Sequence, residues 1–278
     1  MNLSLLLALA KDPRTPLRRS IHAHVDAAKA AFSAGVRSVY QASPSGDPEQ
    51  IGSCLLLDIR GEKILLTAAH VCDHNKTASL YIVGAEELVL LDADFIITEA
   101  PKGDRLRDRG DFAAARISPE MIAKLGDGYI REDQIGSPAP IGAKHLFTAL
   151  GYPNDTNAVV DEENLRVGVA LQSHSATRKE TPKMRRKAGH GGAAHIFISY
   201  GSRSRIDGRK TASLAANGFS GGAVIDDGRP GDLQAVLGNV TPDPKLVGLI
   251  IERWGEQGVL VAVRLDAILP IVKAKLGL

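Results

Sequence analysis

Between residues 15 and 35 apolar side chains recur every three or four positions. Leu17, Ile21, Val25, Ala28 and Phe32 fall on one face of a helix. Thr15 suits its cap, Pro16 its first turn and Gly35 its end. This amphipathic helix is expected to pack on the surface of the body that follows. From Val36 the pattern changes to short apolar runs bounded by Pro, Gly and Asp. Residues 36–42, 52–59, 63–68, 80–83, 88–91 and 112–117 read as six strands, with a hairpin turn at Asp58-Ile59-Arg60-Gly61. A linker containing Gly136-Ser137-Pro138-Ala139-Pro140 leads to a second set at 145–151, 166–173, 194–200, 222–225, 246–252 and 259–264. Residues 265–276 read as a closing helix, with Pro270 limiting its first turns. The chain is therefore read as all-β, with a helical extension at 1–35, a first β unit at 36–135 and a second at 136–278.

A hydrophobic share of 44% over 278 residues supports a sizeable core, and a net charge of +2 gives no footing for nucleic acid. The apolar run Leu3-Ser4-Leu5-Leu6-Leu7-Ala8-Leu9-Ala10 is short and has no basic residue before it. Its Ala8-Leu9-Ala10 lies inside the apolar stretch instead of after it. A structural helix or docking segment is the expectation, export the alternative, and no other run is long enough to span a membrane. Cys54 and Cys72 are expected as free buried thiols in a reducing, cytoplasmic compartment, with a bridge as the alternative. The basic stretch from Arg178 to Lys187 is expected to be a solvated, mobile loop; docking of an acidic partner or proteolytic nicking are the alternatives. His174, His190 and His195 lack a metal-ligand spacing, so neither metal nor cofactor is expected.

Three segments carry candidate chemistry. Ile64-Leu65-Leu66-Thr67-Ala68-Ala69-His70 brings a histidine to the end of an apolar strand. Gly110-Asp111-Phe112-Ala113-Ala114 sets a carboxylate at the start of another. Asn217-Gly218-Phe219-Ser220-Gly221-Gly222-Ala223 holds a serine in a glycine-rich turn. A serine hydroxyl attacks only when a base takes its proton. Imidazole titrates near neutral pH, and a carboxylate fixes its tautomer. Asp104 and Asp108 share the loop with Asp111, but Asp111 is the one that abuts the strand.

These motifs, in the order His, Asp, Ser, resemble those of the trypsin-like (chymotrypsin-fold) serine peptidases, in their bacterial form. The apolar strand at 145–151, ending in Gly151-Tyr152-Pro153, is similar to the first strand of the second barrel in such proteins. The resemblance implies two six-stranded antiparallel β-barrels, to which this chain adds an N-terminal helix and a C-terminal helix. It implies His70, Asp111 and Ser220 as catalytic residues, the N–H groups of Gly218 and Ser220 as oxyanion hole, and Leu214, Ala215, Ala216 and Asn217 beside the substrate pocket. The apolar character of Leu214, Ala215 and Ala216 points to an uncharged side chain before the scissile bond. Phe219 stands where zymogen-forming relatives carry an Asp, so activation by an N-terminal cut is not expected. The expected function is a serine endopeptidase acting on a protein or peptide, with a regulatory protein partner possible and no nucleic acid or membrane. The alternative is a catalytically silent fold that binds proteins.

Overall fold

Cys54-Leu55-Leu56-Leu57 and Ile64-Leu65-Leu66 carry apolar side chains at consecutive positions, so strands made from them need both faces covered. In the computed structural model this is how they are used. The structure describes residues 12, 14–44, 46–85, 87–154, 159–161, 166–167, 170–188, 194–201, 203–206, 209–212 and 218–278. The molecule is mostly β, with two antiparallel sheets, one a half-barrel, and helices at both ends.

In chain order the first eight strands are β1 (Val36–Ala42), β2 (Pro48–Ile59), β3 (Glu62–Ala68), β4 (Leu80–Val83), β5 (Leu88–Leu90), β6 (Ile96–Ile97), β7 (Phe112–Arg116) and β8 (Ile130–Arg131). They pair as β5-β4-β1-β2-β3-β7-β6, with β8 parallel to β2. The next ten are β9 (Leu146–Gly151), β10 (Val159–Asp161), β11 (Arg166–Val167), β12 (Gln172–Ala176), β13 (His195–Ser199), β14 (Arg203–Ile206), β15 (Arg209–Ala212), β16 (Ala223–Gly228), β17 (Lys245–Trp254) and β18 (Val259–Arg264). Six of these pair as β12-β9-β16-β17-β18-β13, while β10–β11 and β14–β15 are separate pairs.

The expectation of two closed six-stranded barrels is met only in its coarser part. The pairings among the described residues run from edge to edge in each sheet, and the first sheet has eight strands. The single strand expected at 166–173 is divided between β11 and β12, which pair with different neighbours. The two-residue strands β6 and β8 are too short for any periodicity to reveal. The hairpin at Asp58 forms as expected. Arg60 (φ 55°) and Gly61 (φ 91°) both take left-handed backbone, and Asp58 Oδ1 accepts the Gly61 N–H at 2.9 Å.

Alternate residues of β2 and β3 enter different cores. Leu55, Leu57, Ile59, Ile64 and Leu66 meet Ile225, Leu249, Val261 and Val263 of the second sheet. Cys54, Leu56 and Leu65 instead join Val39, Val71, Leu80 and Ile82 inside the first unit. Phe147, Ile198, Tyr200, Phe219, Val224, Ile250 and Leu260 form the corresponding interior of the second. The middle core is thus the junction of the two sheets, which explains why so few strands alternate apolar and polar.

Among the described residues six α-helices complete the fold: α1 (Arg14–Phe32), α2 (Ala69–Asp73), α3 (Pro119–Leu125), α4 (Pro182–Ala188), α5 (Leu233–Val236) and α6 (Leu265–Leu276). α1 packs on β9, β16 and α5, by a face that shares Ala28 and Phe32 with the expected one but is rotated from it towards the start of the helix. The buried stripe is Pro16, Ser20, His24, Ala28 and Phe32, while Leu17 is 37% exposed. Small side chains let the helix approach closely, and His24 Nδ1 is satisfied by the Ser20 carbonyl at 2.8 Å. The helix start is held by Asp12, whose carboxylate accepts from Arg14 N–H and Thr15 Oγ1, so Thr15 is not the cap.

The basic stretch is also not a loop throughout. Its residues 182–188 form α4, with Met184 and Ala188 in the central core and Lys187 Nζ 4.3 Å from the Trp254 ring centre. Cys54 and Cys72 are buried and unbridged, and burial pushes the Cys54 thiol up to about 12 and that of Cys72 further. No helix among the described residues is long and apolar enough to cross a membrane, and the run at residues 3–10 lies outside them.

Candidate active site

β3 delivers His70 to the first turn of α2, at the rim of the first sheet. Asp111 precedes β7, the neighbour of β3, and so lies beside that turn. It makes three contacts there. Its carbonyl accepts the Ala69 N–H at 3.0 Å, its Oδ1 accepts the His70 N–H at 3.0 Å, and its Oδ2 meets His70 Nδ1 at 2.7 Å. Two open donors at the start of a short helix are thereby filled. With the carboxylate ionised, Nδ1 carries the proton and Nε2 keeps its lone pair. Asp111 does this from a left-handed backbone (φ 38°), a strained setting that Asp tolerates better than most residues.

The other two carboxylates of the loop are engaged elsewhere. Asp108 receives Arg105 Nη1 at 2.6 Å, Gly110 N–H at 2.9 Å and the Thr98 hydroxyl. Asp104 accepts the Leu106 N–H at 3.1 Å and pairs with Arg107. Arg105 also reaches Asp73 with Nε at 2.8 Å, and this bond holds the Asp73 carboxyl below its ordinary range.

Ser220 comes from the second sheet, in the turn that enters β16. Gly218 (φ 92°) and Gly221 (φ 85°) are left-handed, and the turn is pressed against its surroundings. A Cβ at Gly221 would stand 1.8 Å from the Ser53 carbonyl oxygen and 2.5 Å from Thr67 Oγ1. Here glycine is required by both torsion and space. Ser53 of β2 clamps the turn from the first sheet. Its N–H donates to Ser220 O at 2.7 Å and its hydroxyl to Gly218 O at 2.8 Å, while that hydroxyl accepts Tyr152 N–H at 3.0 Å. From the second sheet, Gly221 N–H donates to Ile250 O at 2.7 Å. Phe219 is fully buried in the interior of the second unit, its ring edge-on to Tyr200 with centres 6.5 Å apart.

His70, Asp111 and Ser220 line one open cleft of about 540 Å³, together with Arg105, Asp108, Ile251, Glu252, Arg253 and others. The Ser220 hydroxyl donates to the Ile251 carbonyl at 3.4 Å, and no hydrogen bond joins it to His70 among the described residues. The N–H groups of Gly218 and Ser220 have no acceptor among the described residues. Leu214, Ala215, Ala216 and Asn217 lie outside the described residues. His174 and His195 bond the carbonyls of Ser199 and Arg109, His190 lies outside the described residues, and no cluster of metal-ligating side chains occurs among those described.

Ser53 was not legible as a site residue, although a serine inside the run 52–57 had to find partners once buried. Arg253 and Ile251 gave no sequence signal, because their place beside Ser220 depends on the pairing of β16 with β17.

No family model and no curated protein matches the chain. Among solved structures, the HtrA-type protease AlgW with a tripeptide aligns at TM-score 0.49 and 16% identity, over 89% of this chain and 62% of that one. A form of AlgW with one serine replaced by alanine, also with a tripeptide, gives the same score at 15% identity. A structure titled for the coupled folding and binding of the intrinsically disordered Sesbania mosaic virus VPg protein aligns at TM-score 0.47 and 17% identity, over 84% and 87% of the two chains. The chain thus spans less than two thirds of the AlgW chain. Scores below 0.5 do not establish kinship, and the chemistry of the cleft has to stand on its own residues.

Proposed function

We propose that this chain is a serine endopeptidase of trypsin-like, two-barrel design that cleaves peptide bonds through an acyl-enzyme. The observation that carries the reading is Asp111. Its carboxylate grips both the backbone N–H and the Nδ1 of His70, which leaves Nε2 as a base in the cleft that Ser220 enters from the other sheet. For the reaction the Ser220 hydroxyl must leave Ile251 O for Nε2, which a change of side-chain rotamer would supply. Nε2 then takes the proton as Oγ bonds to the substrate carbonyl carbon and the carbonyl electron pair moves onto its oxygen. The N–H groups of Gly218 and Ser220, without an acceptor among the described residues, would serve that oxyanion, and removing such a donor costs about 100–1000-fold in rate elsewhere. The imidazolium next protonates the departing amine as the C–N bond breaks. Water repeats the cycle on the ester, releasing the acid and restoring Ser220. The substrate is a protein or peptide, and a regulatory protein partner would act by setting the rotamer of Ser220 or the turn that holds it.

One observation favours a silent, protein-binding role: the Ser220 hydroxyl faces Ile251 O instead of His70. A fluorophosphonate probe separates the two readings, since only an activated serine reacts. Labelling of the full chain, lost in Ser220→Ala and in His70→Ala while thermal unfolding is preserved, is the expected result. Absence of labelling, or labelling that survives Ser220→Ala, would overturn the peptidase reading.

A further inference from the structure

We infer that Arg253 selects substrates with an acidic side chain at the residue whose carbonyl Ser220 attacks, in place of the uncharged one expected from Leu214, Ala215 and Ala216, which lie outside the described residues. The inference rests on the peptidase reading and names its substrate class. Besides His70 and Arg253, four charged side chains line the cleft, and each has a partner. Arg105 is held by Asp73 and Asp108, and Asp108 by Arg105. Asp111 is held by His70, and Glu252 by Trp254 Nε1 with Arg109 at 3.8 Å. Arg253 is exposed and has no carboxylate partner among the described residues; its guanidinium lies 5.5 Å from the centre of the Tyr200 ring.

The strand register sets where this cation points. β17 bulges between Ile250 and Glu252, after which Glu252 faces Val261 and Arg253 faces Leu260 across the β17–β18 pairing. Leu260 is buried in the second unit's interior with Tyr200 and Phe219. Arg253 therefore lies at the mouth of that interior, on the side where Phe219, next to Ser220 in the chain, is buried. Ile251, whose carbonyl receives the Ser220 hydroxyl, is two residues earlier, about 7 Å along the strand. Ser220, Ile251 and Arg253 line the same cleft, so an acidic side chain of a substrate held at Ser220 has this cation on its wall. Tyr200 offers an apolar floor that orients the fork, and a carboxylate can accept two of its N–H groups at once. A lysine or arginine there would meet like charge with no described carboxylate free to answer it.

The test uses matched peptides differing only in Glu, Gln or Lys before the cleaved bond. Cleavage by the full chain is measured beside their binding to Ser220→Ala by fluorescence anisotropy, which needs no turnover. Glu should exceed Gln by about 10- to 100-fold in kcat/KM, the range of a charged hydrogen bond. The binding preference should vanish in Ser220→Ala/Arg253→Gln and turn towards Lys in Ser220→Ala/Arg253→Glu, with unfolding curves as the control for folding. Equal treatment of Glu and Gln by the full chain, or a Glu preference that survives Arg253→Gln, overturns the inference. Failure of the peptidase reading looks different: no fluorophosphonate labelling and no cleavage of any peptide. The binding series still decides Arg253 in that case.

Discussion

Ser53 donates its backbone N–H to the carbonyl of Ser220 at 2.7 Å, from a strand of the first sheet to a turn of the second. The same residue's hydroxyl holds Gly218 O and Tyr152 N–H. The turn that would carry the nucleophile is thus shaped by both sheets, across the central core. Ser53→Ala keeps the backbone bond but leaves a buried carbonyl and a buried N–H unpaired, at a cost of about 1–3 kcal/mol. Urea unfolding should show that loss, and fluorophosphonate labelling should slow with it. Unchanged labelling at lowered stability would mean that the second sheet alone shapes the turn.

Gly221→Ala should be far more damaging than a mid-strand glycine change. The new methyl would sit 1.8 Å from the Ser53 carbonyl oxygen, and the left-handed torsion adds about 1–2 kcal/mol of its own. The turn must shift away from β2, so labelling of Ser220 should be lost even at temperatures where circular dichroism still reports native strands. Gly231→Ala, where a Cβ meets nothing within 4 Å, is the matching control.

Asp227 makes stability depend on pH. Burial pushes its carboxyl from 3.8 to about 8, helped by neighbouring Asp226 and opposed by the Thr148 hydroxyl bond at 2.6 Å. Between these values the folded chain keeps a proton that the unfolded chain releases. Stability therefore falls as pH rises from about 4 to about 8. Asp227→Asn, which mimics the protonated form, should melt higher than the parent at pH 8 and alike near pH 4. Parallel melting profiles across that range would rule out this role.

The N-terminal helix bears on control. Phe32 and Ala28 are fully buried in the core shared by both sheets, so a chain starting at Val36 loses side chains worth several kcal/mol. Its melting temperature should drop and its labelling should fall. A chain starting at Asp12 keeps α1 and the carboxylate that holds its start. Phe219 fills an apolar interior instead of pairing with a new N-terminus, so this shorter chain should label as fast as the full one. Faster labelling after the cut would indicate a zymogen-like restraint.

Much of the architecture was written locally. Most of the longer strands, both terminal helices and the Asp58 hairpin follow from short-range patterns of apolar residues and turn formers, because burial and torsion leave a mark on each position. The residue types at His70, Asp111 and Ser220, with glycines around the serine, were equally visible. What the chain by itself did not decide is which groups meet. α1 buries Ser20 and His24 while Leu17 stays exposed, since the close approach of a helix to a sheet depends on the partner's surface as much as on hydrophobicity. Among three aspartates of one loop the sequence favoured Asp111 because it abuts a strand, but it is the β3–β7 pairing that puts Asp111 against His70 while Arg105 takes Asp108. The clamp of Ser53 on Ser220 and the place of Arg253 beside it join residues far apart in the chain. Strand register and sheet packing set these meetings, and no local pattern records them.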